Sequence, residues 1–185
     1  MLPKILKHRV QNRTLLLLAI VFICSPALAK GYLNFKLNPE YVASYPEDWY
    51  RTDPTAKNLV VSPIAEKETY DPPVIQIRCY DLTDAEAALP DSEFIELQLQ
   101  NHIDYLEDNL NFDYEIATTD SISIKGADQA FCFQTSFPGE EPAVSETNYA
   151  RKGKRMFIFR FWSLTSKYEK YLTDYYVMRG SFELK

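Results

Sequence analysis

The chain has 185 residues, and its 26 acidic and 20 basic residues give a formal net charge of −6 at pH 7. This balance disfavours nucleic acid as a partner, because binding to phosphates requires a basic surface. Only two histidines are present, His8 and His102, which excludes metal sites built from several histidine ligands.

Residues 1–29 have the three parts of a cleavable secretory signal peptide. The basic residues that come first, with no acidic residue among them, are Lys4, Lys7, Arg9 and Arg13. An unbroken apolar run of nine residues follows at 15–23, whereas a membrane-spanning helix needs about 20. Small residues at Ala27 and Ala29 then provide a cleavage site. We therefore predict cleavage between Ala29 and Lys30 and export to the periplasm or the medium.

Two alternatives remain open for this segment. It could stay attached as an uncleaved N-terminal anchor. The protein could instead be a lipoprotein anchored through Cys24, which lies at the end of the apolar run. The residue before Cys24 is Ile23 rather than a small residue. Cleavage after Ala29 therefore fits the sequence better, and it leaves no stable transmembrane span.

Removal of the signal leaves residues 30–185, which are enough for one globular domain with a hydrophobic core. Because the signal carries four basic and no acidic residues, 16 basic and 26 acidic residues remain and the charge becomes −10. This charge disfavours electrostatic docking on anionic lipid. His102 is then the single histidine available for acid/base chemistry.

Two cysteines, Cys79 and Cys132, remain in the exported domain. In an oxidising compartment such a pair can form a disulfide. Closing a loop of about 54 residues would stabilise the fold by roughly 4 kcal/mol. The alternative is two buried free thiols on neighbouring strands, and the sequence leaves both open because it does not show whether the side chains meet.

The first half of the domain alternates short strands with turns. We predict a strand or turn at 34–41, a turn at 46–49, a strand at 58–62, a loop at 66–73 and a strand at 74–81. In the last of these strands apolar and polar residues alternate, which predicts that one of its faces is buried.

Two helices are predicted on either side of a block of strands. Asp91 or Ser92 can cap the first helix. Its apolar stripe, at spacings of three and four residues, consists of Ile95, Leu99, Ile103, Leu106 and Leu110. The second helix is predicted at 166–179, and Gly180 ends it. Its core-facing residues are Tyr168, Tyr171, Leu172, Tyr175 and Met178.

The block between the helices consists of strands at 113–118, 121–124, 130–137, 144–150 and 155–164. The last two form a hairpin, in which Gly153 supplies the positive φ of a tight turn. This order of elements predicts an α+β fold, with helices packed on a central antiparallel sheet.

The layout resembles the Mog1/PsbP-like domains, which include the PsbP proteins of photosystem II and exported bacterial proteins such as the DcrB-like ones. The matching pieces, which span about 34–184, are Tyr45-Pro46 before Trp49, Ser62-Pro63, the strand at 74–81, the first helix, Ile124-Lys125-Gly126-Ala127, the aromatic hairpin, and a last helix running into Gly180-Ser181-Phe182. The resemblance implies a central antiparallel sheet flanked by helices, an α/β/α sandwich. It also implies a role in binding, as an assembly or accessory protein, with no shared active site. We expect no cofactor, because no metal-binding residue of the family is carried over to this chain.

No residue pattern indicates catalysis. His102 lies beside the apolar stripe, and we interpret it as a histidine at the boundary between core and solvent rather than an acid/base. The closely spaced Asp81, Asp84 and Glu86 lack the glycine and final glutamate of a calcium loop, so capping or solvation explains them better than a metal.

Two groups of residues are candidates for partner binding. Arg151, Lys152, Lys154 and Arg155 form a basic cluster on an acidic protein, and they would dock a partner or a membrane, or else form a polar hairpin turn. Glu140 and Glu141 lie in a proline-flanked loop that is either a contact or a solvated tip.

Tyr45, Trp49 and Tyr50 would line a ligand groove or, in the interpretation we favour, pack at the core.

The sequence therefore supports three functional hypotheses. The first is a non-enzymatic exported accessory or binding domain of the cell envelope that acts through contacts with another protein. The second is a periplasmic domain that binds a small ligand or metal between sheet and helix. The third is an enzyme of unknown reaction.

Overall fold

The computed structural model describes residues 30–36, 38–53, 58–109 and 113–185. The predicted signal peptide and Cys24 lie outside the described residues. Within the described part, no helix is long and apolar enough to cross a membrane.

The described residues form ten strands and three helices. The strands are β1 (Tyr32–Phe35), β2 (Tyr41–Pro46), β3 (Trp49–Arg51), β4 (Leu59–Pro63), β5 (Val74–Asp81), β6 (Glu115–Ser121), β7 (Gln129–Phe137), β8 (Ala143–Lys152), β9 (Arg155–Leu164) and β10 (Glu183–Leu184). The helices are α1 (Asp84–Ala87), α2 (Asp91–Asn109) and α3 (Thr165–Ser181), and Ile64–Glu66 form a 3-10 turn.

Seven strands form one antiparallel sheet in the order β3-β4-β5-β9-β8-β7-β6, and a small sheet has the order β1-β2-β10. On one side, the α3 face, the rings of Tyr168 and Tyr175 stack on Phe161 and the small sheet packs beside the helix. On the other side, the α2 face, Phe94 contacts Phe131. The predicted α+β fold, an α/β/α sandwich, is confirmed.

The β8–β9 hairpin forms as predicted. Lys152 pairs with Arg155 across a two-residue turn. Gly153, the first turn residue, has φ +54°, which L-residues with a Cβ adopt only at a cost. The hairpin therefore fixes the register of the two longest strands, and the turn residues lie at one end of the sandwich.

The predicted stripe of α2 is confirmed at Leu106, whereas its first three residues each lie one position after a buried residue and Leu110 lies outside the described residues. Its buried residues are Phe94, Gln98, His102 and Leu106, while Ile95 and Leu99 are only half-buried. The reason is that two polar side chains, those of Gln98 and His102, occupy core positions. The predicted end of the last helix is also wrong, because Gly180 lies inside α3, which continues to Ser181.

The disulfide alternative is wrong for this fold, because Cys79 and Cys132 are not bonded to each other. Cys79 is on β5 and Cys132 on β7, and two strands, β9 and β8, lie between them. Three interstrand spacings of about 4.8 Å place the two backbones roughly 14 Å apart, whereas a disulfide requires Cα atoms within about 7 Å. The alternative of neighbouring strands is wrong for the same reason.

Candidate functional site

The single histidine of the domain lies in the core beneath α2. His102 is 3% exposed. Its Nε2 lies 2.9 Å from the Thr135 hydroxyl and its Nδ1 lies 3.1 Å from the Tyr149 hydroxyl. Burial, together with the positive charge of Arg160, lowers the pKa of His102 to about 4. The expectation of a boundary histidine is therefore wrong, because both ring nitrogens have partners inside the protein.

The half-buried Cys79 thiol is also engaged by neighbouring side chains. It lies 3.2 Å from Glu40 Oε2, and Arg155 Nη2 lies 3.0 Å from its sulfur. Burial raises the pKa of Cys79 to about 11. The thiol is therefore protonated at neutral pH, and a protonated thiol is a poor nucleophile.

The four basic residues of the hairpin already have partners in the domain. Arg151 donates to Asp91 Oδ1 at 2.7 Å and to the Leu89 carbonyl at 3.0 Å. The Lys152 ammonium reaches the carbonyl oxygen of Leu184 at 3.4 Å. Arg151 is 9% exposed, so it supports the start of α2 rather than presenting a free charge.

The other two cations of the hairpin, Lys154 and Arg155, bind two carboxylates that are close together in the sequence, Asp84 and Asp81. Lys154 pairs with Asp84 at 2.6 Å and Arg155 pairs with Asp81 at 2.7 Å and with Glu40. These carboxylates compensate most of the charge of the cluster, so the hairpin is a weaker anchor for an acidic partner than its sequence indicated. A partner contact at this cluster stays a prediction.

Glu86, one of the acidic residues in α1, caps this helix. Thr83 and Glu86 make a reciprocal capping box, in which each side chain accepts from the other residue's backbone N–H. The capping interpretation is confirmed for Glu86. No group of three or more histidine, cysteine or carboxylate side chains among the described residues could hold a metal ion.

An open cleft lies between the hairpin and the end of the chain. It has a volume of about 430 Å³. Its lining residues carry both signs of charge and are Glu40, Asp128, Lys152, Gly153, Arg155, Phe157 and Lys185. Two residues of the predicted basic cluster therefore do line a concave surface, which we call the hairpin cleft.

Trp49 belongs to the core rather than to a groove. It is 2% exposed, meets the edge of the Tyr171 ring at 5.7 Å, and donates from Nε1 to Asp174 Oδ2 at 3.0 Å. The same carboxylate oxygen accepts from the ammonium of Lys30 at 2.6 Å. The predicted first residue of the exported chain is therefore held against α3.

Strand β9 is apolar on both faces, but only one face is fully covered. Phe157, Phe159 and Phe161 point to the α3 face and are at most 2% exposed. The residues between them point the other way and are only half-buried: Met156, Ile158, Arg160 and Trp162. A strand with apolar residues on both sides is typical of a sheet covered on both sides.

The second face is only partly covered, because α2 lies mainly over β7 and β8 and contacts Phe131, Thr135 and Tyr149. Met156, Ile158 and Trp162 of β9 pack against the edges of the clusters beneath α2 and keep part of their surface in water. Neighbouring β5 presents Gln76, Arg78 and Tyr80 on the same side as these half-buried residues. We call these residues of β5 and β9 the open sheet face: Gln76, Arg78, Tyr80, Met156, Ile158, Arg160 and Trp162.

The open sheet face was missed in the sequence, although its signal is present. The alternation at 74–81 predicts one buried face, whereas the strand at 155–164 has apolar residues on both of its sides. Two phases of apolar residues in one strand predict a second contact surface. Tyr80 is 41% exposed and Tyr105, at the rim on α2, is 47% exposed.

Comparisons with known proteins support the fold. Neither a family model nor a curated protein matches the chain. The solution structure of the cyanobacterial PsbP (CyanoP) from Synechocystis sp. PCC 6803 matches with a TM-score of 0.55 at 9% identity, over 88% of this chain and 97% of that one.

Two further solved structures match at similar levels. LpqN of Mycobacterium tuberculosis, a protein involved in cell envelope biogenesis, has a TM-score of 0.53 at 11% identity, over 85% of this chain and 92% of that one. A protein of Bacteroides thetaiotaomicron VPI-5482 has a TM-score of 0.50 at 11% identity, over 78% of this chain and 45% of that one. The chain thus has the PsbP-like fold that the order of its elements indicated.

Proposed function

We propose that the chain is an exported, non-enzymatic accessory or binding domain of the cell envelope that acts through contact with another protein. The open sheet face carries the proposal, because its half-buried apolar side chains, next to the exposed Arg78 and Tyr80, leave apolar and aromatic surface in contact with water, and such surface marks an interaction site. The signal-peptide features of residues 1–29 support export, and the fold that the chain shares with LpqN supports an envelope role by analogy.

Two groups that catalysis would require are engaged inside the protein, which supports a binding role. His102 is neutral, buried and bonded at both ring nitrogens. The Cys79 thiol is protonated and contacts Arg155 and Glu40. An acid/base or a nucleophile must reach the reacting atom of a substrate, and neither group is placed to do so.

Site-specific photo-crosslinking tests the protein contact in living cells. A photo-reactive phenylalanine analogue replaces Tyr80 on the open sheet face or, as the matched control, Tyr176 on the outer side of α3, since these tyrosines are 41% and 44% exposed. We expect one discrete crosslinked protein from position 80 and none from position 176. A solitary chain at both positions, at native abundance, would overturn the proposal.

The export step has its own test. Mass spectrometry of the protein recovered from the envelope fraction is expected to show a chain that begins at Lys30. A lipid-modified Cys24, or a chain that retains residues 1–29, would show instead that the protein is anchored to the membrane.

The hairpin cleft favours a second candidate function, the binding of a small charged ligand. Its volume of about 430 Å³ is in the range of small-molecule sites, and it has cationic and anionic groups at its wall. Native mass spectrometry of the protein purified from its own envelope tests this. A bound small molecule that Lys152→Glu removes would favour ligand binding, whereas the mass of the chain alone would count against it.

A further inference from the structure

Two arginines of the open sheet face have no carboxylate partner among the described residues. Arg78 donates from Nη1 to the hydroxyl of Tyr80 at 3.5 Å. Arg160 donates from Nε to the Thr147 hydroxyl at 3.3 Å, and its guanidinium lies 5.4 Å from the centre of the Tyr105 ring. Both guanidinium groups retain N–H donors that can bind a carboxylate.

Other arginines of the domain behave differently. Arg151, Arg155 and Arg179 each form an ion pair with a carboxylate of the chain, at distances of 2.7 Å to Asp91, 2.7 Å to Asp81 and 2.9 Å to Glu146. In a domain with 26 acidic residues and 16 basic ones, arginines usually find such partners. Those of the open sheet face are exceptions, and no carboxylate is among the seven residues that define this face.

The register places the two arginines beside apolar side chains. Arg78 pairs with Ile158, and Arg160 pairs with Gln76. Arg78 and Arg160 therefore occupy diagonal positions on adjacent strands, and residues at such positions are about 7–8 Å apart. Tyr80 and Trp162 lie at the two ends of this patch. The surface thus alternates positive and apolar features over a short distance.

Other occupants fit this surface less well. A second copy related by a two-fold axis would present the same residues, so arginines would face arginines at the centre of the contact. An anionic membrane would attract the two arginines but repel a domain whose charge is −10. A polypeptide segment with carboxylates spaced between apolar side chains complements both features of the face.

We propose that the open sheet face binds an acidic segment of the partner protein, with carboxylates that pair with Arg78 and Arg160 and apolar side chains that pack on Ile158 and Trp162. This inference rests on the proposed protein-binding function and specifies the chemistry of the partner.

The test uses the exported protein and three fluorescent peptides of equal length. In the peptides, valine and leucine alternate with glutamate, with glutamine or with lysine, and binding is measured by fluorescence anisotropy. We expect the glutamate peptide to bind, the lysine peptide not to bind, and added salt to weaken the complex. The double substitution Arg78→Gln with Arg160→Gln is expected to raise the Kd at least about tenfold.

A matched control removes the same two charges from the opposite side. Lys36 and Lys125 are exposed, and Lys125 pairs with Glu183 of the small sheet. We expect Lys36→Gln with Lys125→Gln to change the Kd by less than about twofold. Circular dichroism shows that both double variants are folded, so that loss of binding by the arginine variant alone reports on the face.

Several outcomes would overturn the inference. Equal binding of the glutamate and lysine peptides, or an unchanged Kd in the arginine variant, would show that the arginines do not select the ligand. Binding to vesicles with 30% anionic lipid that the arginine variant loses would assign the face to membrane, and a dimer that this variant dissociates would assign it to a second copy. If the peptide tests fail but position 80 still crosslinks one protein in cells, the proposed function stands and only this inference fails. If the glutamate peptide binds but no protein is crosslinked in cells, the inference about the face stands and the proposed function fails.

Discussion

Charged side chains on the two faces of the large sheet have different surroundings. On the α3 face, the buried carboxylate of Glu146 accepts from Tyr175 at 2.5 Å, from Arg179 at 2.9 Å and from Tyr168 at 3.3 Å. On the α2 face, Arg78 and Arg160 have no carboxylate partner in the described part of the chain. The first face is closed by its own helix, whereas the second carries two arginines that could still bind carboxylates.

The domain therefore divides its polar groups between two uses. Paired charges beneath α3 hold the helix in one position, since each group satisfies a donor or acceptor that water would otherwise satisfy. Charges on the open sheet face do not contribute in this way to the isolated domain. The paired charges of the α3 face are therefore expected to contribute to stability, and the two arginines of the open sheet face to binding.

The largest expected effect is the removal of Glu146. Glu146→Ala leaves Arg179 and the hydroxyls of Tyr175 and Tyr168 without their acceptor, so we expect a loss of about 3–5 kcal/mol in the free energy of unfolding. Urea denaturation followed by circular dichroism measures it. The control, Glu140→Ala in the exposed loop, is expected to stay within about 0.5 kcal/mol of the native protein. Equal losses in the two variants would refute the role of Glu146.

A second carboxylate of the α3 face gives a pH-dependent effect. The hydrogen bond from Lys170, together with those from Lys167 and Tyr171, lowers the pKa of Glu66 from 4.5 to about 2. A carboxyl whose pKa is lower in the folded state stabilises the fold above its unfolded pKa and loses that contribution as pH falls. We therefore expect Glu66→Gln to be less stable than the native protein at pH 7, and the difference to shrink between pH 4.5 and 2.

Urea denaturation at several pH values measures this difference. Glu68→Gln, in the exposed part of the following turn, is the matched control and is expected to follow the native protein throughout. A difference between the Glu66 variant and the native protein that stays constant down to pH 2 would contradict the prediction.

Features that depend on one strand or one turn were predictable from the sequence. The alternation at 74–81 and the glycine at 153 fixed β5 and the hairpin, because side-chain direction and backbone conformation are local properties. The buried face of α2 was less predictable, because the apolar pattern places His102 at the boundary, whereas the structure buries it. Nothing local shows that Thr135 and Tyr149, far along the chain, satisfy its ring nitrogens.

The charged surfaces were less predictable for the same physical reason. Lys154 and Asp84 are 70 residues apart and Arg155 and Asp81 are 74 apart, so only the tertiary fold shows that the basic cluster of the hairpin has internal partners. The second apolar face of β9 was visible in the sequence. Which part of it α2 leaves open depends on helix packing, which composition and periodicity do not specify.

A smaller effect is expected from the titration of His102 on the α2 face. Burial lowers its pKa to about 4, against 6.5 when unperturbed. Because the folded state resists protonation, stability is complete above pH 6.5 and falls as the pH drops toward 4. Titration of the imidazole C–H signals by NMR measures the pKa directly, since His102 is the only histidine of residues 30–185. A midpoint near 6.5 would contradict the burial of the ring.

The smallest expected effect connects the covered and open parts of this face. The charge of Arg160 contributes to the lowered pKa of His102, so Arg160→Gln is expected to raise that pKa, whereas Arg78→Gln, whose charge is not among its causes, is expected to leave it nearly unchanged. A partner carboxylate bound to Arg160 would compensate the same charge. We therefore expect the glutamate peptide to raise the pKa of His102 in the native protein but not in Arg160→Gln. An NMR titration that is identical with and without the peptide, while anisotropy shows binding, would mean that the peptide binds elsewhere, and the open sheet face would lose its assigned ligand.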